Sequence, residues 1–386
     1  MSVPDPMLNL PFPTTIADHF KDTGYSAEML LEGFRRVWHH LKRADFETLI
    51  CREAPELLTR SPLETWLDAS LSLETRRELY PECSAHELLL VTASTVPSAA
   101  FQDALVPLIL PVRVTLRPAH NLVPLMRELV HWVTAHAPEL GKRLTVCDTG
   151  HDVSELKSLI ARHDALNVSG SDETIERYSS LCTPQTPIRI YHGHRLSAFM
   201  LFRGETDALS EKDADALAED LSVWDQTGCL SPKIIFTEDG LHQAKALAER
   251  LCAALDRVAV RFPEVAPSLE ALAQKNSRLR MAAFDGASLF KGTRNHDVVA
   301  VHEPGAPFEP ILLPRTTSIY CVENAIEAAK CLSPRGQAMG SLKPLNDGQE
   351  KNLREAGFNY FCRPGFMQDP PLYWFHDNIG TLKPLL

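Results

Sequence analysis

The sequence predicts an α/β protein with two successive α/β units and a helical layer at its N-terminus. From Glu87 onwards, short apolar runs typical of buried strands alternate with amphipathic helical stretches. A second series of such elements begins near Glu205, with no low-complexity linker before it. The preceding residues contain helical patterns only. We therefore expect a helical layer over residues 1–85, a first α/β unit over 86–204 and a second unit from 205.

The composition is that of a globular protein without an electrostatic footprint for nucleic acid. The chain has 386 residues, of which 44% are hydrophobic and 23% charged, and its formal net charge is -11. No long run of one sign is present, so neither nucleic acid nor an anionic membrane surface is an expected partner. No segment approaches the ~20 apolar residues of a membrane span, and the proline-rich start lacks a signal-peptide pattern. We expect a cytoplasmic protein with nine reduced, scattered cysteines.

The N-terminal layer follows a proline-punctuated arm. Apolar residues at helical spacing predict helices over Ala27–Ala44 and within Pro62–Leu79. The adjacent His39 and His40 point about 100° apart on such a helix, so they are poorly placed to share a metal ion. We expect a solvated helix face here and no metal site in the protein.

The first α/β unit is predicted to hold a parallel sheet with helices on both faces. Helices over Phe101–Leu110, Leu122–Ala137, Val153–His163 and Glu173–Cys182 alternate with short strands. Parallel strands place a binding crevice at their carboxyl ends. The predicted strands are Leu88–Ser94, Val112–Leu116, Leu144–Asp148, Ala165–Ser169 and Ile188–His192.

The second unit is predicted to form a smaller sheet of its own. A helix over Glu211–Trp224 precedes a strand over Lys233–Thr237, and a long helix follows over Leu241–Phe262. After a further helical segment, the pattern indicates strands over Val298–His302 and Ser318–Val322 and a helix over Asn324–Cys331.

Several strand ends of the first unit have the chemistry of a nucleotide site. Gly170 and Ser171 open a helix directly after a strand, where free amides and a hydroxyl meet a pyrophosphate, and Thr174 closes the same segment. Arg117 follows the second predicted strand and is able to reach a ribose or a 2′-phosphate. The alternatives are simple helix capping and a solvated arginine, because no GxGxxG motif is present.

The stretch Asp225–Pro232, DQTGCLSP, contains the cysteine with the strongest chemical signal. Cys229 lies in a short polar loop between a predicted helix and a predicted strand. A thiolate there is a natural nucleophile for a thioester or aldehyde carbonyl, and a preceding nucleotide sheet suggests hydride transfer at the sulfur-bound carbon. The alternative is an inert small side chain, as we expect for Cys252 and Cys331 within their apolar segments.

DQTGCLSP, together with CRPGFMQDPPLYWFHDNIGTLKPL near the C-terminus, resembles the LuxC-type acyl-CoA reductases. These are fatty acid reductase components of bacterial bioluminescence, within the aldehyde dehydrogenase superfamily. The resemblance runs from about Glu87 to the C-terminus. It implies an aldehyde-dehydrogenase-like fold with a cofactor domain over 86–204, completed by a C-terminal return over 356–386, and a catalytic domain over 205–355.

The resemblance also implies roles for individual residues. Cys229 takes the place of the family nucleophile, and Gly170 with Ser171 matches the Gly-Ser pair that meets the cofactor pyrophosphate. Arg117 resembles the basic residue that reaches the adenosine ribose. Gly150 fits the glycine after the third strand, and Gly193 falls near the nicotinamide segment.

Two departures from the family pattern bear on the reaction. Tyr191 stands where hydrolytic relatives have a glutamate base, which disfavours deacylation by water and favours a reductase. Thr95 stands where an asparagine is expected in the oxyanion hole, and the loss of a well-placed donor costs ~100-fold or more in rate.

The implied activity is NAD(P)H-dependent reduction of a fatty acyl thioester, on coenzyme A or a carrier, to the aldehyde through Cys229. His192 or His194 would supply a proton, and Arg117 favours NADPH over NADH. Expected partners are the acyl substrate, an acyl-protein synthetase and further copies of the chain. The alternatives are a short or aromatic acyl substrate, the oxidising direction, or a catalytically weak scaffold that binds an acyl-activating partner.

Overall fold

The computed structural model describes residues 10–150 and 152–386. The chain divides into two compact units. The first comprises the residues up to His194 together with Pro371–Leu386, and the second comprises Arg195–Pro370. Within the described residues, no helix combines the length and the apolarity that crossing a membrane requires.

The first unit contains the predicted parallel sheet. Its described residues form five strands in the order β3-β2-β1-β4-β5, all parallel. The chain runs outward from β1 in one direction and then resumes with β4 on the other side, so the topological switch point lies between β1 and β4. The strands are β1 (Glu87–Val91), β2 (Arg113–Arg117), β3 (Leu144–Val146), β4 (Ala165–Ser169) and β5 (Ile188–His192).

Alternate residues of these strands enter two different cores. Leu88 and Leu90 pack in a large core with Phe34, Phe46 and Trp66 of the N-terminal layer. The neighbouring side chains of β1 face the opposite core, under the helices that follow β3 and β4. The helices of this unit are α1 (Phe20–Thr23), α2 (Ala27–His40), α3 (Arg43–Glu53), α4 (Pro55–Arg60), α5 (Leu63–Leu67), α6 (Leu73–Leu79), α7 (Pro97–Leu105), α8 (Val123–His136), α9 (Pro138–Gly141), α10 (Val153–Ile160) and α11 (Asp172–Leu181).

The helix predicted over Phe101–Leu110 is wrong in its bounds. The helix α7 begins at Pro97 and ends at Leu105, and a 3-10 turn over Val106–Ile109 follows. Pro107 lacks an N–H and cannot continue the α-helical ladder, so the chain tightens there.

The second unit contains a sheet of seven strands over residues 195–370, all of which the structure describes. The prediction of a smaller sheet is therefore wrong. Every neighbouring pair is parallel except β8 with β9 at one edge. In the order β12-β11-β6-β7-β10-β9-β8, the strands are β6 (Leu196–Leu201), β7 (Pro232–Thr237), β8 (Ser288–Lys291), β9 (Val298–His302), β10 (Thr316–Cys321), β11 (Gly336–Ser341) and β12 (Tyr360–Cys362).

The division into units differs from the boundaries expected at 204/205 and 355/356. The strand β6 pairs with β7 and β11, so residues from Arg195 onwards belong to the second unit. The strand β12 pairs with β11, which keeps the chain in this unit as far as Pro370. The helices of the second unit are α12 (Glu205–Ala208), α13 (Glu211–Ser222), α14 (Leu241–Val258), α15 (Leu269–Phe284), α16 (Ala325–Ala329) and α17 (Asp347–Glu355).

Candidate active site

The backbone before Cys229 has a conformation that non-glycine residues rarely adopt. The helix α13 ends at Ser222, short of the predicted Trp224. Trp224, Asp225 and Gln226 then have φ of 56°, 50° and 59°, all in the left-handed region. Each such residue costs ~1–3 kcal/mol, and strain of this kind persists where the surroundings fix it, often at functional sites.

The side chain of Gln226 fixes this turn from within the core. It is fully buried, and its Nε2 donates to the carbonyl of Pro232 at 2.8 Å and to Oγ1 of Thr317 at 2.9 Å. Its Oε1 accepts from the backbone N–H of Thr316 at 2.6 Å. These three hydrogen bonds join the turn to β7 and β10, which are neighbouring strands in the middle of the seven-stranded sheet.

A buried ion pair fixes the same turn from another direction. Arg315 has a fully buried side chain, and its Nε donates to Oδ1 of Asp225 at 2.7 Å. Its Nη1 lies 3.4 Å from Oδ1 of Asp297, and its Nη2 donates to the carbonyl of Phe262. Burial raises the pKa of the Asp225 carboxyl, and the charge of Arg315 opposes that rise. The guanidinium therefore holds the partly buried Asp225 carboxyl and the buried Asp297 carboxyl together.

The loop of Cys229 is a tight turn with oriented peptide groups. The N–H of Ser231 donates to the carbonyl of Gly228 at 3.1 Å. Oγ of Ser197, on β6, donates to the carbonyl of Cys229 at 2.6 Å. Because the C=O and N–H of a trans peptide point in opposite directions, the N–H of Cys229 is directed away from Ser231. The Cys229 side chain itself is half-buried.

The motif Gly365-Phe366-Met367-Gln368 meets this loop within the second unit. Nε2 of Gln368 donates to Oγ of Ser231 at 2.9 Å. Asp220, fully buried on α13, accepts from the N–H of Gly365 at 2.6 Å and of Met367 at 3.1 Å. Two stretches of sequence more than 130 residues apart thus support one cysteine turn.

The other predicted site residues lie along the carboxyl edge of the five-stranded sheet. Each follows or ends one of its strands, as the sequence predicts for a nucleotide crevice. They are Thr95 after β1, Arg117 at the end of β2, Gly150 after β3, Gly170, Ser171 and Thr174 after β4, and His192 and Gly193 at the end of β5.

Gly170 and Ser171 form the tight start of α11. A Cβ on Gly170 would lie 3.1 Å from Cβ and Cγ2 of Thr174, so a larger residue would displace that side chain. Oγ of Ser171 accepts from the N–H of Thr174 at 3.3 Å, which makes Ser171 the N-cap. The first turn also contains Asp172 and Glu173. Their negative charges disfavour a second anion at this helix end.

Arg117 is buried, and its side chain contacts other residues of the first unit. Its Nη2 donates to the carbonyls of Thr149 at 3.0 Å and Gly150 at 3.1 Å, and its guanidinium lies over the ring of Tyr178. These contacts orient the loop after β3. The role of Arg117 toward a ribose or 2′-phosphate stays a prediction.

Thr95, Gly193 and Tyr191 have distinct surroundings. The carbonyl of Thr95 accepts from the Tyr25 hydroxyl at 2.9 Å. A Cβ on Gly193 would lie 3.1 Å from Oδ1 of Asp172. The Tyr191 hydroxyl lies 3.7 Å from Sγ of Cys182, and burial together with this contact raises the Tyr191 pKa to about 12.

Two hydroxyl groups that the sequence analysis missed lie at the switch point of the sheet. Thr92 directly follows β1, and Ser169 ends the neighbouring β4. Oγ1 of Thr92 and Oγ of Ser169 are buried and have no hydrogen-bond partner among the described residues. Unsatisfied buried hydroxyls are costly and require a partner, from water or from a ligand. A dinucleotide at this crevice fits both the orphaned groups and the strand order.

Removal of one orphaned hydroxyl tests this assignment. We expect Thr92→Val to change the free energy of unfolding by less than ~1 kcal/mol, because no hydrogen bond within the protein is lost. The same change should weaken NAD(P)H binding about 3- to 10-fold, the contribution of one hydrogen bond. Fluorescence titration measures this, with Thr145→Val, an exposed strand residue, as the control. Equal affinity in both variants would remove Thr92 from the cofactor site.

His192 belongs to a buried histidine and carboxylate cluster of the first unit. Its Nδ1 lies 3.3 Å from Oδ2 of Asp377, and its ring stacks on His376 with centroids 4.1 Å apart and planes 2° from parallel. Asp377 and Asn378 have φ of 55° and 62°, a second strained turn. The carboxylate fixes the orientation of the His192 ring.

The donor atoms of His192, His376 and Asp377 all lie within 4.8 Å of one another, which is close enough for a shared metal ion. The stacked rings argue against one. Imidazole lone pairs lie in the ring plane, so an ion between two parallel rings would sit outside both planes. The arrangement favours a carboxylate-supported histidine pair.

A small cavity of ≈ 30 Å³ adjoins this cluster. Asp103, Asn167, His192 and His376 contribute its polar lining, and Oδ1 of Asn167 has no partner among the described residues. Burial raises the pKa of the Asp103 carboxyl to about 6, and the charge of His192 opposes the shift. The cavity is large enough for a water molecule.

The raised pKa of Asp103 predicts a pH-dependent cost to stability. The folded protein binds this proton more tightly than the unfolded chain, so binding of the proton stabilises the fold. This stabilisation is fully present below pH 3.8 and is lost as the pH rises through about 6. Asp103→Asn should therefore match the wild type near pH 4 and exceed its free energy of unfolding by about 1–3 kcal/mol at pH 8. Urea unfolding across this range measures the difference. A constant difference at all pH values would contradict it.

Comparison with known proteins agrees with the resemblance of the sequence. The chain matches the family described as acyl-CoA reductase (LuxC) over residues 14–386. No curated protein sequence matches the chain.

Solved structures of low identity share the fold. An NAD-dependent aldehyde dehydrogenase from Sinorhizobium meliloti has 13% identity and a TM-score of 0.61, over 91% of this chain and 73% of that one. An NADP-dependent enzyme from E. coli has 14% identity and a TM-score of 0.58, over 90% and 78%. The indole-3-acetaldehyde dehydrogenase of P. syringae, in complex with NAD⁺, has 15% identity and a TM-score of 0.58, over 91% and 81%. The predicted aldehyde-dehydrogenase-like fold is confirmed, and the chain belongs to the LuxC family of acyl-CoA reductases.

Proposed function

We propose that this enzyme reduces a fatty acyl thioester to the aldehyde with NAD(P)H, through an acyl-enzyme on Cys229. The observation that supports the nucleophile most is the strained turn over Trp224–Gln226 directly before its loop. A protein retains three successive left-handed residues where a precise geometry is needed. Here the turn and its buried side chains present one half-buried thiol on a rigid support.

In the acylation step, the Cys229 thiolate attacks the acyl carbonyl and forms a new C–S bond. The C–S bond to coenzyme A or to the carrier breaks, and that thiol leaves. The N–H of Cys229 is the proposed oxyanion donor, because the contact between Ser231 and Gly228 orients its peptide. Thr95 stays a predicted second donor.

In the reductive step, the thioester carbon on Cys229 would accept the hydride that NAD(P)H supplies when bound. The resulting oxyanion re-forms a carbonyl, the C–S bond breaks, and its electron pair returns to Sγ of Cys229. Acyl thioester, NAD(P)H and a proton thus give aldehyde, thiol and NAD(P)⁺. His192 is the proposed proton source, with Asp377 holding its ring.

The cofactor would be held at the carboxyl edge of the five-stranded sheet. Thr92, Ser169 and Gly170 offer hydroxyls and close backbone approach at the switch point. Arg117, which in the sequence favours NADPH, donates to two backbone carbonyls, and these contacts compete with binding of a 2′-phosphate. We propose NADPH or NADH and leave the preference to measurement.

The surroundings of Tyr191 support reduction over hydrolysis. With a pKa of about 12, its hydroxyl is protonated at neutral pH and cannot act as a base there. Its contact is with Cys182 on the face of the sheet that packs under α10 and α11. An acyl group on Cys229 would then remain attached until a hydride reduces it.

The test compares NADPH and NADH oxidation across acyl-CoA chain lengths, with acyl-carrier substrates and an acyl-protein synthetase as further arms. We expect saturable oxidation that is fastest with long acyl chains, and aldehyde formed in equal amount. Faster turnover of short or aromatic acyl groups would overturn the fatty acyl assignment. An absence of oxidation with every substrate would favour a scaffold role. Light scattering of the same protein tests the expected homo-oligomer.

A further inference from the structure

One face of the five-stranded sheet has a row of polar side chains at its carboxyl edge. Ser169 of β4 pairs with His192 of β5, and Thr92, directly after β1, is the neighbour of Ser169 on its other side. Asn167 lies two residues before Ser169, so its side chain is on the same face. Ile190, two residues before His192, belongs to the large core that the sheet shares with the N-terminal layer. The polar row therefore borders this core.

Three side chains of this row contain a buried polar atom without a protein partner. Oγ1 of Thr92, Oγ of Ser169 and Oδ1 of Asn167 accept or donate no hydrogen bond within the part of the chain that the structure describes. The two hydroxyl groups lie at the proposed cofactor crevice. Asn167 lies further from the carboxyl edge, so its carbonyl oxygen needs a donor of a different kind. Ordered water is the usual partner of such a group in a protein interior.

The cavity of ≈ 30 Å³ supplies the space for this water. Asn167 lines it together with Asp103 of α7, His192 of β5 and His376 of the C-terminal segment. A volume of this size accommodates a single water molecule, and a buried water needs two to four polar partners. The carboxyl group of Asp103, the amide of Asn167 and the ring of His192 supply three partners around one position.

The charges near the cavity single out Asp103 and His192 as a pair. The charge of His192 acts on the Asp103 carboxyl, and Asp377 faces the Nδ1 side of the His192 ring. His376 stacks on this ring. The charged groups of the surrounding elements have partners of their own: Glu53 with backbone N–H groups of the C-terminal segment, Glu32 with Arg36 on α2, and Arg76 and Arg143 with carbonyls of the turn after α7.

We propose that the cavity holds one ordered water bonded to Asp103, Asn167 and His192, and that Asp103 delivers protons to His192 through this water. The inference rests on the proposed role of His192 as the proton source and deepens it, because it names the route by which that proton is replaced. Asp103 is a positioning residue in this scheme, since it acts through His192 and not on the substrate.

The transfer balances the proton that the reaction consumes. Each aldehyde released takes one proton from His192, so the ring has to be recharged once in every turnover. The Asp103 carboxyl gives its proton to the water, and the water gives one of its own to Nε2 of His192, the nitrogen on the opposite side of the ring from Asp377. The Asp103 carboxylate, which is half-buried, then takes up a proton from solvent. Burial raises the pKa of Asp103 to about 6, near enough to neutrality for both uptake and release.

The test is the exchange of the His192 ring N–H with water, measured by NMR of the full chain with isotope-labelled histidine and with His192→Gln to assign the signal. We expect the wild-type exchange rate to rise through about pH 6, because the Asp103 carboxylate accepts the proton through the water. In Asp103→Asn this rise should be absent, and exchange at about pH 8 should be at least ~10-fold slower. Asp18→Asn, which neutralises an exposed carboxyl of the same unit, should keep the wild-type curve.

Asn167→Leu tests the water separately, because leucine removes the amide oxygen and occupies the cavity. It should slow the exchange as much as Asp103→Asn does. A wild-type curve in either folded variant would overturn the proposal. Should Asp103→Asn not fold, Asn167→Leu decides alone: slowed exchange supports the water bridge, and unchanged exchange contradicts it. Because the exchange needs neither acyl substrate nor cofactor, an Asp103-dependent exchange in a protein that does not react with acyl-CoA would refute the proposed function only.

Discussion

Replacement of Cys229 with alanine is expected to lower the rate of acyl-CoA-dependent NAD(P)H oxidation by at least ~10³-fold, the order of loss seen when a covalent nucleophile is removed. The acyl-enzyme cannot form without the thiol, and hydride has no sulfur-bound carbon to reduce. The fold should persist, because the side chain is only half-buried in a turn that other residues hold. Stopped-flow absorbance of the reduced cofactor measures the loss.

Cys321→Ala provides the matched control. This thiol is also half-buried in the second unit, on β10, but burial raises its pKa and disfavours the thiolate. We expect near wild-type rates from it. Comparable residual activity in both variants would exclude Cys229 as the nucleophile.

Replacement of Arg315 with methionine should have the largest effect on stability. The guanidinium is fully buried between Asp225 and Asp297, and its removal leaves one partly buried and one buried carboxyl group without their cation. Breaking such a pair costs ~3–5 kcal/mol. Because Asp225 lies in the left-handed turn, we also expect the variant to lose activity. Urea unfolding measures the first effect, and cofactor oxidation measures the second.

The pH gives a signed test of the same variant. Without the cation, the pKa values of both carboxyl groups rise further, so protonation relieves the cost as the pH falls. The stability deficit of Arg315→Met should therefore shrink between pH 8 and pH 5. Arg257→Met, which removes a partly exposed partner of Asp215, should cost only ~0–1 kcal/mol. Equal losses in the two variants would contradict a structural role for the buried pair.

The hydrophobic periodicity and the composition of the sequence were enough to predict the first sheet. The strands over Ala165–Ser169 and Ile188–His192 have the predicted bounds, because each is a short alternating or apolar run between clear helices. The second sheet was underestimated. Gly336–Ser341, GQAMGS, has two glycines and little β propensity, and it is a strand because β6 and β12 pair on either side of it.

The residues of the candidate site could be proposed from the sequence where their chemistry is visible locally. Cys229 stands out beside a glycine in a polar loop, and the strand ends follow from the sheet order. The left-handed turn was not predictable, because the sequence predicts a helix through Trp224 followed by a loop. Only distant partners hold Trp224, Asp225 and Gln226 in the left-handed region. Thr92 and Ser169 were missed because a hydroxyl at a strand end resembles an ordinary helix cap.

Lys233 and Asp377 illustrate a further limit. From its sequence position alone, Lys233 resembles a solvent-exposed strand residue. In the structure, a bulge where β7 pairs with β6 directs its side chain to the Gln226 carbonyl. Asp377 is adjacent to His376 in sequence, yet its carboxylate approaches His192, 185 positions away. Contacts of this separation depend on the completed fold and have no local sequence signal.

The most direct test of the account is mass spectrometry of the protein after incubation with a long-chain acyl-CoA, before and after addition of NADPH or NADH. We expect one acyl adduct on the peptide that contains Cys229, stable in buffer and discharged as aldehyde when reduced cofactor is added. An adduct on another residue, or discharge as the carboxylic acid without cofactor, would contradict it.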